Sequence, residues 1–245
     1  MSSPAEKLPL ALVTGAARRL GRAIALCLAK EGYAIGLHYH TSENSALETA
    51  AEIRSLGAPV QLFRADLARM EEIQTMFEQV ACQPHPLQVL VNSAAVMGKG
   101  SLRDLQVAQW DDTMELNLRA PFLCSQQAGR LMEHTGGVII NISDSGARKT
   151  WIGFPAYVVS KAGLEVLTRL LARTYAPQIR VNAVAPGLIL PPEEIPEKDW
   201  QHLVDRVPVR KAGTPQDIAE TVLFLIRNNY ITGQTIVVDG GNHLI

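Results

Sequence analysis

Tyr157 and Lys161 stand four residues apart, a spacing that puts both side chains on one face of a helix. A tyrosine is a poor proton-transfer group at neutral pH, because the free phenol titrates near ~10. An ammonium ~4 Å away is worth roughly 4 kcal/mol at an effective dielectric of ~20, enough to lower the phenol's pKa by about three as an upper bound. The spacing therefore predicts that Lys161 lowers the pKa of Tyr157 and makes it a usable general acid. Asp144 precedes the tyrosine, inside Asn141-Ile-Ser-Asp-Ser145. A tyrosine and a lysine at this spacing also meet by chance, so the rest of the chain decides the matter.

The chain has 245 residues, 47% hydrophobic and 19% charged, which suits one large α/β domain, residues 1–245, with a sizeable core. A net charge of −1 gives no reason to expect nucleic acid or a membrane surface as a partner. There is no run of ~18 apolar residues and no basic stretch followed by an apolar one at the N-terminus, so a cytoplasmic protein is expected. Cys27, Cys82 and Cys124 are odd in number and scattered. They suit reduced thiols, and no metal site is expected.

Apolar runs of buried-strand type cover Leu8 to Thr14, Ala34 to His40, Val60 to Arg64, Leu87 to Val91, Gly137 to Ile142, Ile179 to Val184 and Thr235 to Val238. Helical patterns lie between them. They run from the glycine turn to Lys30, over Glu43 to Leu56, Arg69 to Val80 and Val107 to Glu133 (bent at Pro121), through Tyr157 to Tyr175, and over Pro215 to Arg227. Strands that alternate with helices and lack a polar face predict a doubly wound parallel sheet covered on both faces, with ligands beyond the carboxyl ends of its strands. Thr14-Gly-Ala-Ala-Arg-Arg-Leu-Gly21 links the first strand to the first helix. Such a turn offers backbone N–H groups and a helix dipole to a pyrophosphate, although a plain strand-to-helix turn has the same outline.

The ordered set Thr14-Gly15 to Gly21, Asp66, Asn92-Ser-Ala-Ala95, Asn117, Tyr157/Lys161, Pro186-Gly187 and Asp239-Gly-Gly241 resembles the short-chain dehydrogenase/reductase family over essentially the whole chain. The resemblance implies a Rossmann-like sheet of seven strands, a small-molecule substrate, and a homotetramer or homodimer formed through the two long helices. Within the family, the chain looks most like the pteridine reductases, in the glycine turn, Leu37-His-Tyr-His40, Asp144 and Pro186-Gly-Leu-Ile-Leu-Pro-Pro192. The cofactor expected on this basis contacts Gly15, Arg18, Arg19, Leu20 and Gly21 in the turn and His40, Thr41 and Ser42 after the second strand. Farther along it meets Asp66, Leu67, Asn92, Ser93 and Ala94, then Tyr157 and Lys161, and last Pro186, Gly187 and Leu188. Asn117 is implied to keep a water that links Lys161 to solvent.

Three departures from the common family pattern refine the expectation. Arg19 stands where the turn usually has glycine; its guanidinium can fork onto phosphate oxygens, or it can simply face solvent. The second strand ends without a carboxylate before Glu43, whereas Arg19, His40 and Ser42 can all donate to a 2′-phosphate, so NADPH (NADP) is expected over NADH. Asp144 stands where the family usually has a carbonyl-polarising serine. An ionised carboxylate would repel the oxyanion of a reduced carbonyl, whereas it suits a C=N acceptor whose nitrogen gains a proton. Alternatively, Asp144 caps a turn and Ser143 or Ser145 takes the serine's part.

Met97 occupies the place where pteridine reductases stack an aromatic ring, with Trp151 and Phe154 available as an aromatic wall. Met97, Asp144, Trp151, Phe154 and Leu188 are thus the expected substrate contacts, and a short loop from Ile189 to Trp200 suggests a compact substrate. The expected function is an NADPH-dependent reductase of a dihydropterin or related pteridine. The alternatives are a ketone, quinone or 3-oxoacyl reductase and an NADPH-sensing protein without catalysis.

Overall fold

Strands made of Val, Ile, Leu and Ala with no face to keep wet can bury both faces only inside a parallel sheet. The computed structural model, which describes residues 7–191 and 196–245, has one seven-stranded parallel sheet. Its strands are β1 (Leu10–Val13), β2 (Ala34–Tyr39), β3 (Val60–Arg64), β4 (Leu87–Asn92), β5 (Gly137–Ile142), β6 (Ile179–Pro186) and β7 (Thr235–Val238). Their order is β3-β2-β1-β4-β5-β6-β7. The expected doubly wound architecture is present.

Helices α1 (Arg19–Lys30), α2 (Glu43–Ser55) and α8 (Pro215–Arg227) cover one face, where Ile24, Leu28, Ile53 and Val222 pack on the strands. Helices α3 (Met70–Ala81), α5 (Ala120–Met132) and α6 (Pro155–Tyr175) cover the other, with Ile73, Met76, Cys124 and Leu171 in its core.

The chain order reverses between β1 and β4, the switch point at which such sheets bind ligands. The two loops leaving these strands are bound to each other there. Thr14 Oγ1 accepts from the backbone N–H groups of Ser93 (2.9 Å) and Ala94 (3.1 Å). Gly15 sits at φ +64°, and a Cβ on it would lie 2.9 Å from the Ala94 Cα, so only glycine fits.

Two elements differ from expectation. The long helix over Val107 to Glu133 is α4 (Val107–Met114) and α5, joined by a π-helical turn at Glu115–Arg119. Pro121 has no N–H to give the carbonyl of Asn117 four residues earlier, so the irregularity falls one turn before the proline. The stretch expected to be a loop up to Trp200 instead enters α7 (Glu197–Arg206), which buries Trp200 and Val204. Trp200, Leu203, Val204 and Val207 have helical spacing, but the neighbouring prolines hid it. Pro192 and the rest of 192–195 lie outside the described residues.

Beneath the site runs a buried polar seam. Asn92 Nδ2 donates to Asn141 Oδ1 (2.8 Å) and Ser125 Oγ (3.2 Å), and Asn141 Nδ2 donates to Thr168 Oγ1 (2.9 Å). Asn141→Ala removes the shared partner of Asn92 and Thr168. It is expected to cost about 2–3 kcal/mol, read as a lowered urea midpoint at unchanged m-value.

Candidate active site

Asp144 ends the β5 loop in extended conformation and caps the 3₁₀ turn Ser145–Arg148, its Oδ1 accepting from Gly146 N–H at 2.6 Å. Its other oxygen, Oδ2, accepts from the Tyr157 hydroxyl at 2.9 Å. Tyr157 lies on the first turn of α6, where Pro155 at the helix start is compatible with the unpaired N-terminal N–H groups. One helical turn on, the buried Lys161 donates from Nζ to the Ile142 carbonyl (2.8 Å), with its ammonium 5.7 Å from the centre of the Tyr157 ring. Three of the four expected catalytic side chains, Asp144, Tyr157 and Lys161, therefore meet at the carboxyl end of β5, beside the switch point, and the fourth, Asn117, lies in the π turn.

The electrostatics reverse one expectation. Burial, and next to it the Asp144 carboxylate, hold the Tyr157 phenol well above 10, rather than Lys161 lowering it. A phenolate beside a carboxylate would be two anions sharing one proton, and the hydrogen-bonded carboxylate outweighs the more distant ammonium. Burial also raises the Asp144 carboxyl pKa, against the Gly146 and Tyr157 hydrogen bonds and the Lys161 charge that lower it. Lys161 is pushed down by burial to about 8, so it is still mostly an ammonium at neutral pH.

Of the serine alternative, the turn cap by Asp144 is present, whereas neither serine has a hydrogen bond to Tyr157 among the described residues. Ser143 Oγ donates to Glu165 Oε1 (3.3 Å) and the Lys161 carbonyl (3.4 Å), and Ser145 is fully buried with its hydroxyl unpartnered. Asp144 alone of the three presents a polar atom to Tyr157.

Asn117 sits in the π turn. Its Oδ1 accepts from Val96 N–H (2.9 Å), and its Nδ2 donates to the Val96 carbonyl (2.8 Å) and to Ser160 Oγ (3.2 Å). Its side chain thus holds the segment leading to Met97 against α6. Gly100 N–H donates to the Gly153 carbonyl (2.9 Å), tying the Met97 segment to the Trp151–Phe154 segment. Met97, Trp151, Phe154 and Leu188 all line a cleft of about 1540 Å³ that includes Asp144. The Trp151 and Phe154 rings meet edge-on at 6.3 Å, and a Cβ on Gly146 would lie 2.6 Å from the indole, so that glycine lets Trp151 lie against the Asp144 turn.

The expected cofactor residues also cluster at the carboxyl ends of the strands. Arg18, Arg19, Leu20, Pro186, Gly187 and Leu188 line the cleft. Arg19 adopts φ +53°, the left-handed conformation that explains why glycine is the common choice there, and its guanidinium donates to the Leu190 and Pro191 carbonyls at 3.3–3.4 Å. Arg18 caps α1 without a side-chain hydrogen bond, and Ser42 caps α2 in the same way. Both helix starts thus keep N–H groups for an anion. His40 and Thr41 are exposed beside Ser42, and Asp66 makes its own turn through Ala68 N–H (3.0 Å), with Leu67 buried behind it. The Asn92 side chain points inward to the polar seam, leaving the cleft to the backbone around Ser93 and Ala94.

A family model described as enoyl-(acyl carrier protein) reductase matches residues 15–243. The chain belongs to the short-chain dehydrogenase/reductase family, a class of oxidoreductases. A 3-oxoacyl-[acyl-carrier-protein] reductase, FabG, from Staphylococcus aureus is 37% identical over 240 residues, covering 96% of this chain and 98% of that protein. A Brucella canis structure described as FolM alternative dihydrofolate reductase 1, complexed with NADP, superposes with TM-score 0.92 at 32% identity, covering 97% of this chain and 94% of the other. The FolM structure from Brucella suis, also with NADP, gives 0.91 at 33%, with coverage of 97% and 96%.

One structural residue escaped the sequence reading. His38, buried in β2, accepts from Gly15 N–H at Nδ1 (3.0 Å) and bonds the Ala65 carbonyl through Nε2 (3.0 Å), a neutral strut between the glycine turn and the loop before Asp66. A histidine inside an otherwise apolar strand was the available signal. Burial lowers its pKa to about 4 from 6.5. The unfolded chain therefore binds more protons in that window, and the His38 contribution, complete above 6.5, is lost as pH falls through 4. Stability should drop by up to about 3 kcal/mol across it. Urea midpoints measured against pH should show this slope in the wild type and a shallower one in His38→Gln.

Proposed function

We propose that this protein is an NADPH-dependent reductase acting on a dihydropterin or related pteridine, reducing a C=N bond. The observation that carries the proposal is the Asp144–Tyr157 hydrogen bond at 2.9 Å, in the place of a serine–tyrosine pair. A carboxylate here opposes an alkoxide but favours an acceptor that becomes cationic as its nitrogen is protonated. It also suits hydrogen bonding to an amino-substituted ring.

The residues present fit the cofactor. The glycine turn, whose Gly21 Cβ position is filled by the Gly15 carbonyl, leaves the start of α1 to a pyrophosphate. Arg19, His40 and Ser42 are the donors this reading assigns to a 2′-phosphate, with no carboxylate between the end of β2 and Glu43, and Arg19 would turn to it from the Leu190 and Pro191 carbonyls. When bound, NADPH supplies the hydride. The protein's own part is to orient the ring and hold a proton. Tyr157 and Asp144 hold between them the proton that the accepting nitrogen would take, and the Lys161 charge favours the carboxylate. Asn117 fixes the Met97 segment, and Trp151 and Phe154 form an apolar wall. Leu118, Phe122, Val166 and Leu170 make an apolar face across the π turn, α5 and α6, which supports self-association through the long helices.

A second reading, reduction of a ketone, quinone or 3-oxoacyl group, is favoured by the 37% identity to FabG. Asp144→Ser separates the two, because a carbonyl reductase should retain or gain activity with a serine there. For the pteridine reading, NADPH oxidation with dihydrobiopterin should proceed in the wild type and fall about a hundredfold or more in Asp144→Ala. It should be much weaker with NADH, and kcat/KM should decline above pH 8 as Lys161 loses its proton. Inert pterins with rapidly reduced ketones would sink the substrate and leave the reductase.

A further inference from the structure

We infer that Glu165 is a positioning residue for the reaction: its carboxylate clasps both ends of the Asp144 turn against α6 and so sets where Asp144 meets Tyr157. The inference rests on Asp144 and Tyr157 as the working pair, not on the ring they reduce. Among the described residues, the charged side chains that are buried are those of Lys161, Glu165 and Asp239. Lys161 belongs to the site, and Asp239 accepts from the backbone N–H groups of Gly241 and His243. Glu165 has no part in the chemistry or the cofactor site, and burying a carboxylate is costly unless its partners offset it.

Those partners explain its place. Tyr157, Lys161 and Glu165 follow one another at four-residue steps, one stripe of α6. The stripe and the nearby Thr168 fasten the end of β5 residue by residue. Thr168 holds Asn141 (2.9 Å), Lys161 holds the Ile142 carbonyl (2.8 Å) and Tyr157 holds Asp144 (2.9 Å). Between them, Glu165 Oε1 accepts from Ser143 Oγ at 3.3 Å. Ser143 N–H still bonds the Val184 carbonyl of β6 (2.8 Å), but Asp144 is past the paired residues of the sheet. There the other carboxylate oxygen, Glu165 Oε2, accepts from Arg148 at 3.4 Å. Ser143 precedes Asp144, and Arg148 ends the 3₁₀ turn that Asp144 caps. One carboxylate therefore closes the loop from Ser143 to Arg148.

The clasp acts through position rather than charge. Burial, its hydrogen bonds and the charges of Lys161 and Asp239 set the Asp144 pKa, while burial and Asp144 set those of Tyr157 and Lys161. Glu165 reaches the pair by fixing the loop. Gly146, inside that loop, packs against the Trp151 indole, so a turn released at Ser143 and Arg148 would shift Asp144 and the apolar wall together.

Two substitutions of similar length separate clasp, charge and packing. Glu165→Met fills the space without an acceptor. Glu165→Gln is neutral but can keep both hydrogen bonds, because the Ser143 hydroxyl can turn to accept. The site is read by NMR of ring-labelled Tyr157 and by kcat with dihydrobiopterin and NADPH. We expect Glu165→Met to bring the Tyr157 ionisation down toward that in Asp144→Asn, and to lower kcat about tenfold with NADPH binding unchanged. Glu165→Gln should stay close to the wild type. Arg148→Met, at the exposed partner, should move both readings in the same direction and decides the matter if Glu165→Met fails to fold. On an Asp144→Asn background, Glu165→Met should change Tyr157 no further. Equal losses in Glu165→Gln and Glu165→Met would show a role for the charge and overturn the clasp, as would wild-type readings in Glu165→Met or Arg148→Met. An undiminished shift on the Asp144→Asn background would also overturn it, since the effect would not pass through Asp144. The NMR comparison needs no substrate, so inert pterins with Tyr157 shifted in Glu165→Met would keep this inference and remove the pteridine reading.

Discussion

A half-buried carboxylate that accepts a hydrogen bond from a buried phenol sets the terms for the rest of this site. Asp144 and Tyr157 share one proton, and burial raises the pKa of both groups, because neither anion is well hydrated there. The pair is tolerable only because other groups complete it. Gly146 N–H binds the second carboxylate oxygen, and the Lys161 ammonium, pinned to the Ile142 carbonyl, supplies a nearby positive charge. The outcome is a proton held between two acids, with a carboxylate at the wall of the cleft. That arrangement differs from the serine–tyrosine pair usual in the family, whose neutral hydroxyl polarises a carbonyl.

The sheet serves this chemistry by bringing distant loops to one edge. At the β1–β4 switch point, Thr14 binds the loop after β4 and His38 binds the turn after β1. The polar seam of Asn92, Asn141 and Thr168 ties β4 and β5 to α6, the helix that carries Tyr157. Asn117 does the same for the Met97 segment from the π turn. Each of these contacts is a side chain satisfying a buried partner, so a fault in one leaves an unpaired group near the reacting centre.

The strands were legible because an apolar run with no polar face has few alternatives to a buried strand, as Leu10–Val13 and Ile139–Ile142 show. The meeting of Asp144, Tyr157 and Lys161 was legible too, since helical spacing and the order of motifs place them together. The sign of the tyrosine's shift was not. It depends on the carboxylate being hydrogen-bonded while the ammonium stands 5.7 Å from the ring centre, and spacing along a chain cannot rank those two. Helix α7 was hidden by the prolines around Trp200. The role of His38 escaped because it comes from contacts across the fold, with Gly15 and Ala65, which lie far from it in the sequence.

The most direct test of the shared-proton account is the ionisation of Tyr157 itself, followed by NMR of ring-labelled tyrosine with Tyr157→Phe assigning the signal. With Asp144 in place, Tyr157 should stay protonated through pH 10 and beyond, for as long as the fold persists. Replacing the carboxylate in Asp144→Asn should bring its ionisation down. A tyrosine that ionises below 10 in the wild type and is unmoved by Asp144→Asn would show that the lysine, not the carboxylate, governs the phenol, and would contradict the account.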